Sequence, residues 1–265
     1  MAPEQPPTPS PVPPKERAAE KLTLVQLLPN MLTVLAICAG LTAIRFGLQG
    51  SYEFAVQLIM VAAVLDGLDG RLARALKSES GMGAELDSLA DFMNFGVAPA
   101  LLLYTWALED SRNFGWLAVL AYAVCAVVRL ARFNVMRKSE DKAHDNAYFT
   151  GVPSPAGAML VLLPMYLSFA FGSGPFLPDL VIAGWMVLTG FSMISRVPTW
   201  SFKTTRIPRR NVKYLLLGVA LAIAAVATYA WITLAVFCVV YVAAVFVMMP
   251  RKRALTGADP HEDRP

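Results

Sequence analysis

Residues 64–96 read VLDGLDGRLARALKSESGMGAELDSLADFMNFG, and this stretch decides the fold. It sets four aspartates, Asp66, Asp69, Asp87 and Asp91, inside or beside two apolar segments. A carboxylate in hydrocarbon costs several kcal/mol unless it is paired or coordinated. Asp66 and Asp69 are spaced i, i+3 and Asp87 and Asp91 i, i+4, so on helices each pair occupies one face. A turn at Ser78 to Gly83 makes the two helices antiparallel and lets the pairs converge. Four carboxylates at close quarters cannot all stay ionised without cations. Hard divalent ions with oxygen ligands, Mg²⁺ or Mn²⁺, answer that need, and two ions can share such a site. Neutralisation by Arg71 and Arg74, or a cation path through a transporter, is the competing account of the acids. Gly67, Gly70, Gly81 and Gly83 remove bulk where a helix would crowd a bound phosphate or ribose. Helix packing through small residues is the plainer account of those glycines.

The rest of the chain places this stretch in a membrane. Of 265 residues, 56% are apolar and 16% charged, and the mean hydropathy is +0.52, too little charge to cover a soluble globule of this size. Apolar segments fall at 28–48, 53–76, 84–108, 114–136, 155–172, 177–196, 212–230 and 232–249, which predicts eight transmembrane helices. Basic residues test this division, because cytoplasmic loops collect Lys and Arg. With the N-terminus in the cytoplasm, 21 of the 23 basic residues fall inside, and only Arg45 and Arg112 fall outside. Both termini and the aspartate hairpin are then cytoplasmic. The net charge of +4 reflects this topology and anionic lipid head groups, and calls for no nucleic acid.

Residues 1–14 hold seven prolines, a composition for extended, solvated backbone, and lack the apolar core of a signal peptide. Residues 15–27 form a juxtamembrane segment whose spacing fits a short helix on the membrane surface or a solvated linker. The three cysteines, Cys38, Cys125 and Cys238, each lie in an apolar run and read as buried, inert thiols. Two histidines, His144 and His261, disfavour chemistry built on paired imidazoles.

Asp66-x2-Asp69-Gly70-x2-Ala73-Arg74-x8-Gly83-x3-Asp87-x3-Asp91 resembles, position by position, the signature of the CDP-alcohol phosphatidyltransferase family. The resemblance implies a helical membrane enzyme with a six-helix core, a homodimer, that displaces CMP from a CDP-linked lipid by attack of an alcohol. It implies that Asp66, Asp69, Asp87 and Asp91 hold metal and that Asp91 also serves as the catalytic general base. It implies that Gly70, Ala73, Arg74 and Gly83 lie on the CDP-diacylglycerol side. The chemistry is reasonable in its own right. A pyrophosphate diester is stable until cations neutralise charge on its oxygens and on the departing CMP, and a weakly acidic hydroxyl needs a carboxylate to take its proton.

The acceptor is read from the segment Arg129-Leu-Ala-Arg132-Phe-Asn134 and the loop that follows, Gly151-Val-Pro153-Ser154-Pro155-Ala-Gly157. Arg129 and Arg132 stand at the cytoplasmic end of a span, where they can clamp a carboxylate or phosphate or anchor the helix by snorkelling. Ser154 reads as the N-cap of the next helix, with Pro155 at its first position. Together these segments are similar to those of bacterial integral-membrane phosphatidylserine synthases, as is Leu28-Pro29-Asn30-Met-Leu-Thr33, where Asn30 is expected to face the nucleotide. That similarity implies CDP-diacylglycerol and L-serine as substrates, with Arg129, Arg132, Asn134 and Ser154 on the serine and phosphate side. Choline remains open, with Phe133, Tyr148 and Phe149 as a candidate aromatic cage, and so do glycerol 3-phosphate and inositol. The arginines favour a substrate bearing a carboxylate. The expected organisation is an all-α polytopic protein of the bacterial inner membrane, with a catalytic core at 28–200, a basic loop and two further spans at 201–250, and a cytoplasmic tail at 251–265.

Overall fold

The computed structural model describes residues 24–78, 80–138, 148–172, 174–195, 198–200 and 212–256. The expected tail at 1–14, residues 15–23 of the juxtamembrane segment, the basic loop around Lys203 to Arg210 and most of the final tail lie outside the described residues. Ten α-helices are described: α1 (Leu24–Leu48), α2 (Tyr52–Leu76), α3 (Gly81–Asp91), α4 (Ala98–Leu103), α5 (Arg112–Lys138), α6 (Ser154–Val161), α7 (Leu163–Phe171), α8 (Asp179–Ile194), α9 (Val212–Thr228) and α10 (Ala230–Thr256). Each of the eight apolar segments carries helix. Their outward faces expose large apolar side chains such as Leu35, Leu120, Leu188, Phe191 and Leu217, as lipid-facing helices do. The chain is a membrane-embedded helical protein.

Three helical stretches, Leu27–Leu48, Gly81–Leu108 and Asn113–Met136, are long and apolar enough to cross a bilayer, and the pair Ser154–Val161 and Leu163–Phe171, bent by 42°, makes up to four. Two of the others fall short for identifiable reasons. Helix α2 carries Asp66, Asp69, Arg71 and Arg74, so the polar residues themselves dilute its hydropathy. Helix α8 has 16 residues, about 24 Å of length against the roughly 30 Å of hydrocarbon.

The third apolar stretch is a broken rod. Between α3 and α4, and again after α4, it widens into π-turns at Phe92–Val97 and Tyr104–Leu108. Such a turn upsets the regular pairing of main-chain carbonyls, and a tyrosine engages each one: Tyr122 donates to Phe95 O at 2.9 Å and Tyr52 to Thr105 O at 2.8 Å. Gly96 is required at the first, since a Cβ there would lie 2.8 Å from the Phe92 ring and 3.1 Å from Ala126. The bend between α6 and α7 follows from Pro164, which has no N–H for Leu160 O. The Trp185 indole N–H takes that carbonyl at 2.8 Å.

The fold is helical in class, with one small addition: Tyr148–Thr150 (β1) and Pro198–Trp200 (β2) form a short antiparallel ladder pairing Tyr148 with Trp200 and Thr150 with Pro198. Gly151, at φ +88°, brings the chain so close to the end of α8 that a Cβ would lie 2.4 Å from Met193 O. The segments flanking α5 and α8 are thereby held side by side. Of the three thiols, Cys125 and Cys238 are buried but Cys38 is exposed, because it lies on the outward face of α1.

The core between the helices is built on Tyr122, Tyr166, Phe95, Leu162 and Met186, all fully buried. Helix α10 joins it through Leu234, Ala235 and Cys238. Among its described side chains helix α9 contributes none that is buried, and a single residue, Tyr229, separates it from α10.

Candidate active site

Helix α2 ends at Lys77, which adopts a left-handed conformation (φ 51°), and the N–H of Ser78 returns to Ala73 O at 3.0 Å. Helix α3 begins one short turn later, with Ser80 as its N-cap accepting from Gly83 N–H at 3.0 Å. This tight reversal is what turns sequence spacing into a cluster. Carboxylate oxygens of Asp66, Asp69 and Asp87 lie within 4.8 Å of one another. Asp91, one turn further along α3, is in side-chain hydrogen-bond contact with Asp66. Carboxylates this close repel unless a proton or a cation lies between them.

The cluster passes the test for a metal on its own atoms. Oδ1 of Asp66 and Oδ1 of Asp69 are buried without a hydrogen-bond partner among the described residues. Such oxygens are costly to desolvate and available as ligands. The donor set is wholly anionic oxygen, which suits a hard divalent ion. The three aspartates can therefore hold a metal ion. Thr33 on α1 donates to Asp69 Oδ2 at 2.6 Å, fixing which oxygen stays available.

Beside the cluster opens a cavity of about 540 Å³, lined by Asp69 and Asp87 and by residues of α1, the α2–α3 turn and α5. Four residues expected on the nucleotide side, Gly70, Ala73, Arg74 and Gly83, line it together with Asn30. Asn30 and Gly83 are brought into contact, since a Cβ on Gly83 would lie 2.8 Å from Asn30 Oδ1. Gly70 leaves space beside the Arg74 guanidinium, where a Cβ would come to 3.8 Å. Gly67 and Gly81 have nothing within 4 Å of such an atom, so neither marks a close approach within the chain.

The four residues expected on the acceptor side are not gathered in one place. Arg129 donates to the Ser154 hydroxyl and lies within electrostatic reach of Asp91. Asn134 instead exchanges hydrogen bonds with Ser88 on α3, at 3.0 and 3.2 Å. Arg132 is exposed and donates to Ile194 O at 3.0 Å, where a cation complements the C-terminus of α8. The reading of Ser154 as an N-cap is corrected. Pro153 occupies the cap position and no side chain closes it, because the Ser154 hydroxyl, fully buried, is turned to Arg129.

Thr33, Ser78 and Ser80 were not foreseen as site residues, yet Thr33 grips Asp69 and all three line the cavity. Ser78 Oγ is buried with no hydrogen-bond partner among the described residues. The available signal was a pair of hydroxyls in the turn joining two acid-bearing helices. Phe133, foreseen only as part of a choline cage, also lines the cavity; the side chains of Tyr148 and Phe149 lie outside the described residues.

Residues 26–258 match the CDP-alcohol phosphatidyltransferase family. A Mycobacterium leprae protein named CDP-diacylglycerol–serine O-phosphatidyltransferase is 44% identical over 214 residues, 80% of this chain and 70% of that protein. The Mycobacterium tuberculosis protein of the same name is 40% identical over 218 residues, 82% of this chain and 76% of that one. An archaetidylserine synthase of Methanothermobacter thermautotrophicus is 35% identical over 144 residues, 54% of this chain and 59% of its own length. With a match across most of its length and relatives at this identity, the chain belongs to the CDP-alcohol phosphatidyltransferase family.

Proposed function

We propose that this protein transfers the phosphatidyl group of CDP-diacylglycerol to the hydroxyl of L-serine, giving phosphatidylserine and CMP. The observation that carries the chemistry is the convergence of Asp66, Asp69 and Asp87 within 4.8 Å at the edge of a cavity large enough for a nucleotide. Serine as acceptor rests on the relatives named for that reaction.

Asp66, Asp69 and Asp87 would hold Mg²⁺ or Mn²⁺, with Asp91 completing a two-ion site. Bound there, the ions would neutralise pyrophosphate oxygens and the departing CMP. The chain's own residues supply the rest. Asn30, Gly70, Ala73, Arg74 and Gly83 form the CDP side of the cavity, with Arg74 paired to phosphate oxygen and the small residues leaving room for the nucleotide. Asp91 accepts the proton of the serine hydroxyl as that oxygen attacks the lipid-side phosphorus. The bond to the bridging oxygen breaks, and CMP carries that oxygen away. Arg129, held by Ser154 and facing Asp91, receives the serine carboxylate. Asn134 and Arg132 act from elsewhere on the same helix, Asn134 setting Ser88 beside the acids and Arg132 tying α5 to α8. Direct displacement inverts the configuration at phosphorus.

The same reading places eight spans in the bacterial inner membrane, both termini and the site on the cytoplasmic face, supported by the distribution of 21 basic residues against two. Residues 28–200 form the catalytic core, 201–250 an addition, and the working unit is a homodimer. The deciding experiment is CMP release by purified protein given CDP-diacylglycerol and serine as sole acceptor. The expected result is release that needs serine and stops with a chelator. Release with choline, inositol or glycerol 3-phosphate but not serine would overturn the acceptor, and undiminished release under chelation would overturn the metal site.

A further inference from the structure

Two tyrosine hydroxyls, those of Tyr166 and Tyr241, are buried without a hydrogen-bond partner among the described residues. Their surroundings differ. Tyr166 faces Cys238 and Tyr122, neither of them an ion, and its ring stacks on Trp231 at 6.5 Å. Tyr241 lies within electrostatic reach of Arg129, a cation that also reaches Asp91. A guanidinium offers only donors, so it gives the proton of a buried phenol within its reach no partner. Tyr241 therefore adds a donor with no acceptor among the described residues to the flank where Arg129 already holds Ser154.

Tyr241 comes to this place from far away in the chain. It stands on α10, which Trp231 and Cys238 help anchor to the core. The Trp231 ring packs edge-on to Phe169 at 4.9 Å and flat on Tyr166. Cys238, 1% exposed, sets its Sγ 3.4 Å from Met159 O on α6. Three residues beyond Cys238, Tyr241 lies on the same helix face. Travelling along α10 from Cys238 to Tyr241 runs parallel to travelling back along α6 from Met159 towards Ser154, the residue that Arg129 grips.

We propose that Tyr241 is a specificity-determining residue for the acceptor, its hydroxyl donating to the carboxylate of serine beside Arg129. The appended helix thus completes the acceptor pocket from outside the six-helix core. This rests on the reading of serine as acceptor with its carboxylate at Arg129. Serine is short, so a hydroxyl at Asp91 and a carboxylate at Arg129 fit one molecule. A donor on the far side of Arg129 then selects for an acceptor bearing an anion.

The test compares full-length wild type with Tyr241→Phe, which removes one oxygen and keeps the ring. The KM for serine is expected to rise about tenfold, the loss of one hydrogen bond to a charged group. The kcat at saturating serine and the KM for CDP-diacylglycerol should stay within about twofold, within the scatter of substitutions that touch neither step. Trp231→Ala, which loosens α10 without touching the hydroxyl, separates the two roles: it should lower thermal stability and fail to reproduce a rise confined to serine. An unchanged serine KM in Tyr241→Phe overturns the proposal, as does an equal, serine-confined rise in Trp231→Ala. If wild type itself gives no CMP release with serine, the underlying reading falls instead, and the assay shows which has failed.

Discussion

The two sides of the site are assembled in opposite ways. The metal-and-nucleotide side comes almost entirely from one hairpin, with Asp66 to Asp91 spanning 26 residues joined by a turn that Lys77 and Ser80 close. The proposed acceptor side is drawn from three distant helices, with Arg129 on α5, Ser154 on α6 and Tyr241 on α10. A cluster of like charges tolerates little positional error, so a short, rigid connection suits it. Recognition of an acceptor can be altered piecemeal, and residues on separate helices allow that. The difference predicts that damage to the hairpin removes turnover, while damage to the flank changes which acceptor is used and how tightly.

The largest effect should follow Asp91→Asn, which keeps the shape of the side chain but cannot take a proton. Loss of a general base costs about a thousandfold in rate, so kcat should collapse while CDP-diacylglycerol still binds. Survival of activity would move the base elsewhere. Arg129→Lys comes next. It keeps the charge but not the fork that holds both Ser154 and a carboxylate, and the serine KM should rise about thirtyfold. A matching rise in the KM for CDP-diacylglycerol would erase the distinction between the two sides.

Thr33→Val probes a grip on the metal side that comes from outside the hairpin, from α1. Without the 2.6 Å hydrogen bond to Asp69 Oδ2, that carboxylate is free to turn. The metal concentration giving half-maximal activity should rise about tenfold, as when a residue that orients a ligand is lost. No change would mean that the hairpin holds its acids unaided.

The same contrast explains what the sequence made legible. Helix periodicity and acid spacing are local properties, so eight apolar segments and the converging aspartates could be read from residues alone. Asn30 meeting Gly83 was also within reach, because both stand in motifs. Ser154 misled, because its position before Pro155 has the form of a cap and nothing nearby in sequence reveals the guanidinium that claims its hydroxyl. The β1–β2 ladder and Thr33's grip on Asp69 are likewise products of packing between distant segments. The π-turn after Asp91 left no periodic signature, since Phe92 to Val97 is as apolar as an ordinary turn.

The smallest effect tests the turn itself. Lys77 holds φ 51° and ψ 37°, a conformation that costs an L-residue about 1–2 kcal/mol. Glycine adopts it freely but gives the unfolded chain back about 0.5–1 kcal/mol of entropy. The balance favours Lys77→Gly by about 0.5 kcal/mol, a rise of about 1 °C in melting temperature for a chain of this size, read by thermal unfolding in detergent. The turn sets how α2 and α3 meet, so relieving its strain without moving its hydrogen bonds should leave kcat and both KM values as they are. A loss of CDP-diacylglycerol affinity would instead reveal that the Lys77 ammonium attracts the pyrophosphate, and that the hairpin binds its substrate through charge as well as through the metal its acids hold.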